Sequence, residues 1–239
     1  MHRATYFVAD LHLFCRRFDG QRAWKRLLEA SKQAAAVVLG GDIFDFRWTT
    51  LPTIEDSAHE AIRRLTSLVR TNRQCEFHYL LGNHDHHQSF VPRLQRLALA
   101  EPNLSCHPYY LRLGETLFLH GDVATRTMGA EQLEKERRRW LQVRKQGRVA
   151  NSAYDWSVRL GLHKLAYRLA YPRRTVARRI LAYLEQIDEG PGSGVTDVYF
   201  GHTHVALSHF EYEGIRFHNG GAPVRRCAFR ILEPSVVLP

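Results

Sequence analysis

Apolar residues recur along this chain in two rhythms that take turns. Short runs such as Tyr6-Phe7-Val8-Ala9 and Val37-Val38-Leu39 have the length and the aromatic or β-branched character of buried strands. They predict strands over 5–9, 36–39, 77–81, 116–119 and 197–200. Between the early ones the apolar positions space out to three and four, which predicts helices over 21–33 and 90–99 and another running to Val69. That helix opens on Thr53-Ile-Glu-Asp56, a capping-box pattern. Strands alternating with helices imply a sheet buried on both faces, an α/β fold. Near the end, residues 210–217 read as a hairpin turning at Glu213-Gly214, and residues 227–232 as a last strand.

From about residue 129 to residue 188 the strand rhythm stops. This stretch is helical in composition, with a second capping-box pattern at Ser152-Ala-Tyr-Asp155 and a break at Tyr171-Pro172. Trp156, Leu160, His163 and Tyr167 fall on one helical face, widened by Leu162, Leu165 and Leu169 and flanked by Arg159, Lys164 and Arg168. Such a face either packs on the domain or lies in a lipid interface. The division that follows is a core of 1–128 and 189–239 with a helical cap of 129–188. Within the cap, the run from Glu134 to Arg139 reads as a solvated helix face.

Charge sharpens this picture. The formal net charge of the 239 residues is +10. Between Glu131 and Glu185 lie 14 basic residues against five acids, so nearly all the excess sits in one segment. Its partner is expected to be anionic: a phosphate-rich substrate, an acidic membrane surface or, less favoured, a nucleic acid. The four cysteines show no paired spacing and read as reduced thiols. Asp10 comes too early to leave room for a signal sequence, and no apolar run approaches the ~20 residues of a spanning helix. The expected location is the cytoplasm, at most peripheral to a membrane.

The chemistry-bearing residues sit where the strands end. Asp10-Leu-His12, Gly41-Asp42-Ile-Phe-Asp45, Gly82-Asn83-His84-Asp85, His120-Gly121-Asp122 and Gly201-His202-Thr203-His204 offer carboxylates, imidazoles and one amide. Loops at one edge of a sheet can bring such groups to a common point. Imidazole mixed with carboxylate and amide oxygen suits Mn, Fe or Zn better than an all-oxygen Mg or Ca site. Each fragment alone is weak, since Gly-Asn-His-Asp is an ordinary turn sequence. Together they point to a two-metal hydrolytic centre.

In this order the five motifs resemble the calcineurin-like metallophosphoesterase superfamily, over most of the chain. The resemblance implies a four-layer αββα sandwich and two divalent metal ions, manganese first. It assigns Asp10, His12, Asp42 and His204 to one ion and Asp42, Asn83, His120 and His202 to the other. His84 would lie outside both sets, protonating the leaving oxygen, with Asp45 orienting it. Asp85 and Asp122 would brace loops. His86, His87, His218 and Asn219 lie close enough in sequence to be substrate contacts, and Cys15 reads as a small apolar filler. Gly41-Asp42-Ile-Phe-Asp45-Phe46-Arg47-Trp48 and the basic insertion are similar to UDP-2,3-diacylglucosamine pyrophosphatase-like relatives. Many of those carry Arg where His84 stands, so the histidine-bearing members are nearer. The implied function is hydrolysis of a lipid-linked nucleotide pyrophosphate. The competing readings are a nuclease or nucleotide phosphodiesterase using the basic segment as a track, and a non-catalytic scaffold, which would be expected to have lost ligands.

Overall fold

A computed structural model describes residues 3–147, 158, 162–225 and 227–236. Two sheets form its centre. The first runs β1 (Thr5–Val8), β2 (Ala36–Gly40), β3 (Glu76–Leu80) and β4 (Leu104–His107), all parallel. The second, in order β5-β6-β7-β9-β8, joins β5 (Tyr110–Leu113), β6 (Thr116–Leu119), β7 (Asp197–Phe200), β8 (Leu207–Tyr212) and β9 (Ile215–Asn219). There β6, β7 and β9 are parallel, while the two outer strands run antiparallel to their neighbours.

The period-two side-chain alternation of strands builds four layers from these sheets. In β2, Val37 and Leu39 pack into the core beneath α1 (Gly20–Ser31), α2 (Ile54–Thr71) and α3 (Val91–Ala100), whereas Val38 points the other way. In β6 and β7, Phe118 and Tyr199 meet Val38, Phe7 and Leu80 between the sheets. Their neighbours Leu117, Leu119, Val198 and Phe200 pack outward beneath α4 (Ala130–Trp140) and α6 (Arg173–Gln186), against Leu133, Val176, Ile180 and Leu184. The order of layers is helix, sheet, sheet, helix, the expected αββα sandwich. A short helix, α5 (Leu162–Ala170), precedes α6. No described helix is long and apolar enough to cross a membrane.

Local signals explain most boundaries. Thr53 caps α2 as its sequence implies: Thr53 Oγ1 accepts from the Asp56 amide at 3.0 Å, and Asp56 Oδ2 accepts from the Thr53 amide at 3.0 Å. The β8–β9 hairpin turns at Glu213 and Gly214, with φ of 50° and 77°. Positive φ at both central residues is the type I′ signature, whose twist matches that of the flanking strands.

Three features depart from expectation. The strands β4 and β5 were not expected: in β4 Ser105 and His107 are polar and only partly covered, and β5 is a four-residue run interrupted by Arg112. Of the strand expected over 227–232, only single bridges form among the described residues, Gly221 with Phe229 and Phe7 with Leu232. The expected solvated face of α4 is broken by Arg137, 2% exposed. The Ser152–Asp155 pattern, Trp156, Arg159 and Leu160 lie outside the described residues.

Candidate metal centre

All five motifs leave the carboxyl ends of parallel strands. Asp10 and His12 follow β1, Asp42 and Asp45 follow β2, Asn83 and His84 follow β3, His120 follows β6, and His202 and His204 follow β7. Main-chain N–H groups stitch the loops together, within the second sheet and across to the first. Gly201 N–H donates to the His120 carbonyl at 2.8 Å, and His202 N–H donates to Asp10 Oδ2 at 2.8 Å. The carboxyl edges of both sheets therefore share one crevice.

Turning the chain so sharply strains it. Asp10, His12, Asp42, His202 and His204 all adopt left-handed backbone conformations, with φ from 44° to 67°. Such strain collects at functional sites, where the fold over-determines the conformation. Two glycines allow the loops to close. A Cβ on Gly82 would overlap Asp42 Oδ1 and its amide nitrogen, and one on Gly41, at φ 83°, would stand 2.6 Å from His120 Nδ1.

Ligand-type atoms converge in three groups, each within 4.8 Å: Asp10, His12 and His204; Asp42, His120 and His202; and His12, Asp42 and His84. His12 and Asp42 each belong to two of them, which links the three groups. Asn83 Oδ1 joins the second, 3.2 Å from His120 Nε2 and 3.0 Å from His202 Nδ1. All seven residues expected to hold metal are thus in one place. His84 also faces it, so by distance alone it too is within ligand reach.

The hydrogen-bond roles show that the cluster fits cations. His120 Nδ1 lies 2.9 Å from the Gly40 carbonyl, an acceptor only, so Nδ1 carries the proton. In the neutral ring Nε2 is then a bare lone pair, yet it faces Asp42 Oδ2 at 3.4 Å and Asn83 Oδ1 at 3.2 Å. Three acceptors turned on one point require a proton or a metal between them. His12 repeats the pattern. Its Nδ1 faces Asp45 Oδ2 at 3.1 Å, which turns Nε2 towards His204 Nε2 at 3.1 Å. The buried Nδ1 of His204 has no hydrogen-bond partner.

Charge tells the same story. Burial pushes the Asp10 carboxyl up to about 8, with His120 opposing and Asp42 reinforcing. Burial opposes ionisation of Asp42 too, but His120, His84 and His12 hold it well below the usual carboxylate range. Burial opposes a charged His120, and Asp42 and Asp122 overcome it, raising it to about 10. Burial lowers His202 to about 4 and also holds His204 well below its ordinary value. The pocket attracts positive charge to its carboxylates while its outer imidazoles keep free lone pairs, as divalent-ion ligands must.

His84 stands beside this cluster. Its amide donates to Asp42 Oδ1 at 2.7 Å, its Nδ1 lies 3.2 Å from Asp45 Oδ1, and its ring packs 4.9 Å from Trp140. Burial works against its protonation, but Asp45 and Asp42 outweigh it and raise it to about 9. Asp45 serves two imidazoles at once, His84 and His12, and is itself fixed by the Trp48 amide at 2.8 Å.

The bracing residues divide cleanly. Asp85 accepts from the amides of Ile43 and Gly82, at 3.1 and 2.7 Å, and from the Tyr79 hydroxyl at 2.7 Å. Asp122 receives Arg137 through both Nε and Nη2, the latter at 3.1 Å, and Arg137 Nη1 also donates to the Gly82 carbonyl at 3.0 Å. One side chain of α4 thereby ties the third motif to the fourth. Sequence reading missed it, and the only available sign was its place on the same helical face as Leu133. Among the other candidates, His86 Nδ1 sits 3.4 Å from Arg137 Nη1, and His87 packs against Phe46. His218 bonds Asp197 and stacks on Tyr199, while Asn219 braces Gly201 and Thr203. Cys15 is buried, its thiol pushed up to about 12 by burial and Asp45.

A crevice of buried carboxylates, imidazoles and one amide at the shared edge of an αββα sandwich defines a metal-dependent phosphoesterase. The family model described as Calcineurin-like phosphoesterase matches residues 4–206, and the chain belongs to that family. Among solved structures it is similar to a phosphopantetheinyl hydrolase from Mycobacterium tuberculosis, at 15% identity and a TM-score of 0.45, covering 92% of this chain and 90% of that one. It is also similar to a dimetal phosphatase from Danio rerio, at 12% identity and a TM-score of 0.46, covering 93% and 88%. The comparison with curated proteins gave no match.

Proposed function

We propose that the chain hydrolyses a phosphoanhydride in a lipid-linked nucleotide, resembling UDP-2,3-diacylglucosamine hydrolase, with two divalent ions bound. The convergence of Asp10, His12, Asp42, Asn83, His120, His202 and His204 on one crevice carries the reaction class. One ion would be held by Asp10, His12, Asp42 and His204, the other by Asp42, Asn83, His120 and His202. Manganese is the first choice, with Fe and Zn as alternatives. When bound, the ions supply Lewis-acid stabilisation of charge building on the phosphoryl oxygens.

The protein's own groups do the rest. His84, whose protonated form Asp45 and Asp42 favour, would give its proton to the leaving oxygen. Asp45 fixes His84 and His12 in orientation. Arg137 and Asp122 keep two ligand-bearing loops in register.

The substrate half of the reading rests on segment 129–188 acting as a cap. Its helices cover the second sheet through Leu133, Val176 and Ile180, and its rings also reach the site: Trp140 at 4.9 Å from the His84 ring, Tyr167 at 4.9 Å from His204, Tyr171 at 6.1 Å from His202. On α5, Leu169 is 71% exposed beside an exposed Arg168. Nearby, Arg173 and Arg174 lie over Phe210 and Tyr212. Basic residues interleaved with exposed apolar ones suit contact with an anionic lipid surface.

The test is hydrolysis of UDP-2,3-diacylglucosamine in mixed micelles by manganese-loaded protein, read as released uridine monophosphate. Bis(p-nitrophenyl) phosphate and single-stranded DNA are run in parallel. Turnover of the lipid-linked substrate above the other two is expected. Turnover of bis(p-nitrophenyl) phosphate alone would remove the lipid-linked half, and DNA cleavage falling steeply with salt would favour the nuclease.

A further inference from the structure

Beside His84 runs a ladder of alternating cations and indoles. The guanidinium of Arg17 lies 4.7 Å from the Trp48 ring. That of Arg47 lies 5.5 Å from Trp48 and 5.5 Å from Trp140, and Trp140 in turn packs on His84. Backbone bonds fix the middle of the ladder: the Trp48 amide donates to Asp45, and the Arg47 carbonyl accepts from the Gln146 amide at 2.8 Å.

Arg47 is the unusual rung. It is half-buried, its Nε is covered without a hydrogen-bond partner, and its guanidinium makes no hydrogen bond or ion pair among the described residues. The contrast with Arg137 is direct, since that buried arginine is satisfied by a carboxylate and a carbonyl. A covered cation without an anion is costly, and two indole faces compensate only in part. What they do supply is orientation, holding a planar fork of donors with little left to lose in side-chain entropy.

We infer that Arg47, clamped between Trp48 and Trp140, binds a second anionic group of the substrate, the phosphate next to the one being cleaved. This rests on the phosphoesterase reading and deepens it, by selecting substrates with two adjacent phosphates over single phosphodiesters. Arg17, already bonded to Cys15 Sγ at 3.3 Å, buttresses the far face of Trp48.

Arg47→Met keeps the length of the side chain and removes the charge. Binding is measured by calorimetry on metal-loaded wild type and variant, with uridine monophosphate and uridine diphosphate as probes, which differ by one phosphate. Metal content is checked before and after. Wild type should prefer the diphosphate, and the variant should bind it about 10- to 100-fold more weakly, with monophosphate affinity changed less than about twofold. In kinetics, KM for a nucleotide-sugar pyrophosphate should rise by the same factor, with that for bis(p-nitrophenyl) phosphate unmoved. Arg47→Lys should restore only part of the preference, because a point charge replaces the fork. Equal losses for both nucleotides, or none, would overturn the assignment. If wild type hydrolyses no pyrophosphate, the lipid-linked nucleotide reading fails while the two-nucleotide comparison still decides the role of Arg47.

Discussion

Removing the Arg137 side chain should destabilise the protein more than any exposed arginine of the same segment. Arg137 is 2% exposed and Asp122 8%. In Arg137→Met the new side chain can fill the space, but Asp122 keeps a buried charge without its fork and the Gly82 carbonyl loses a donor. Breaking a buried pair from one side costs about 3–5 kcal/mol. At about 2–4 °C per kcal/mol for a chain of this size, the melting temperature should fall by roughly 6–20 °C. Arg138→Met, whose ion pair with Glu134 has the Arg 73% exposed, should move it by less than about 2 °C. Thermal and urea denaturation of metal-loaded protein supply the measurement. Adding Asp122→Asn to Arg137→Met should recover more than about 1 kcal/mol, because the stranded charge is gone. The Asp122 carboxyl is held low by Arg137 and His120 against burial. Its contribution is therefore present above its unfolded value near 3.8 and is lost as pH falls through the lower folded value. A fall under about 2 °C in Arg137→Met, or strict additivity in the double variant, would refute the buried-clamp reasoning.

The remaining predictions concern separate parts of the site and core. His84→Ala should keep its metal and lose at least about 100-fold in turnover, whereas Asp42→Asn should lose metal; equal metal content and equal activity in the two would contradict the roles assigned. His107 is held down at about 4 by burial and by His78, below the ordinary 6.5. The unfolded chain then binds the extra proton between those values, so stability should drop as pH falls through that window. Urea midpoints from pH 7 to 4.5 should show a shallower fall in His107→Gln; parallel curves would exclude His107 as a source.

How legible this was in the sequence follows from periodicity. Strands such as Val37-Val38-Leu39 are buried on both faces, so they appear as unbroken apolar runs and reveal the end of the strand, hence the ligand that follows. The capping box at Thr53 and the Glu213-Gly214 turn were equally visible, since each is set by chemistry within four residues. The strand β4 was hidden because Ser105 and His107 interrupt its apolar pattern, and β5 because four residues broken by Arg112 are too short to show a period. The clamp of Arg137 on Asp122 and Gly82 was hidden for another reason. Burial of an arginine depends on partners 15 and 55 residues away, which a local charge pattern cannot express. The left-handed backbone of five ligands was likewise invisible, because Asp and His adopt it only where tertiary bonds force them.

Metal stoichiometry followed against hydrolysis tests the central claim most directly. Protein stripped by chelator is titrated with manganese, bound metal is counted by elemental analysis, and hydrolysis of bis(p-nitrophenyl) phosphate is measured at each step. The site described here predicts near-zero turnover without metal and a rise that completes at two ions per chain. Full turnover in stripped protein, or a folded protein carrying two ions that hydrolyses no phosphoester, would contradict it.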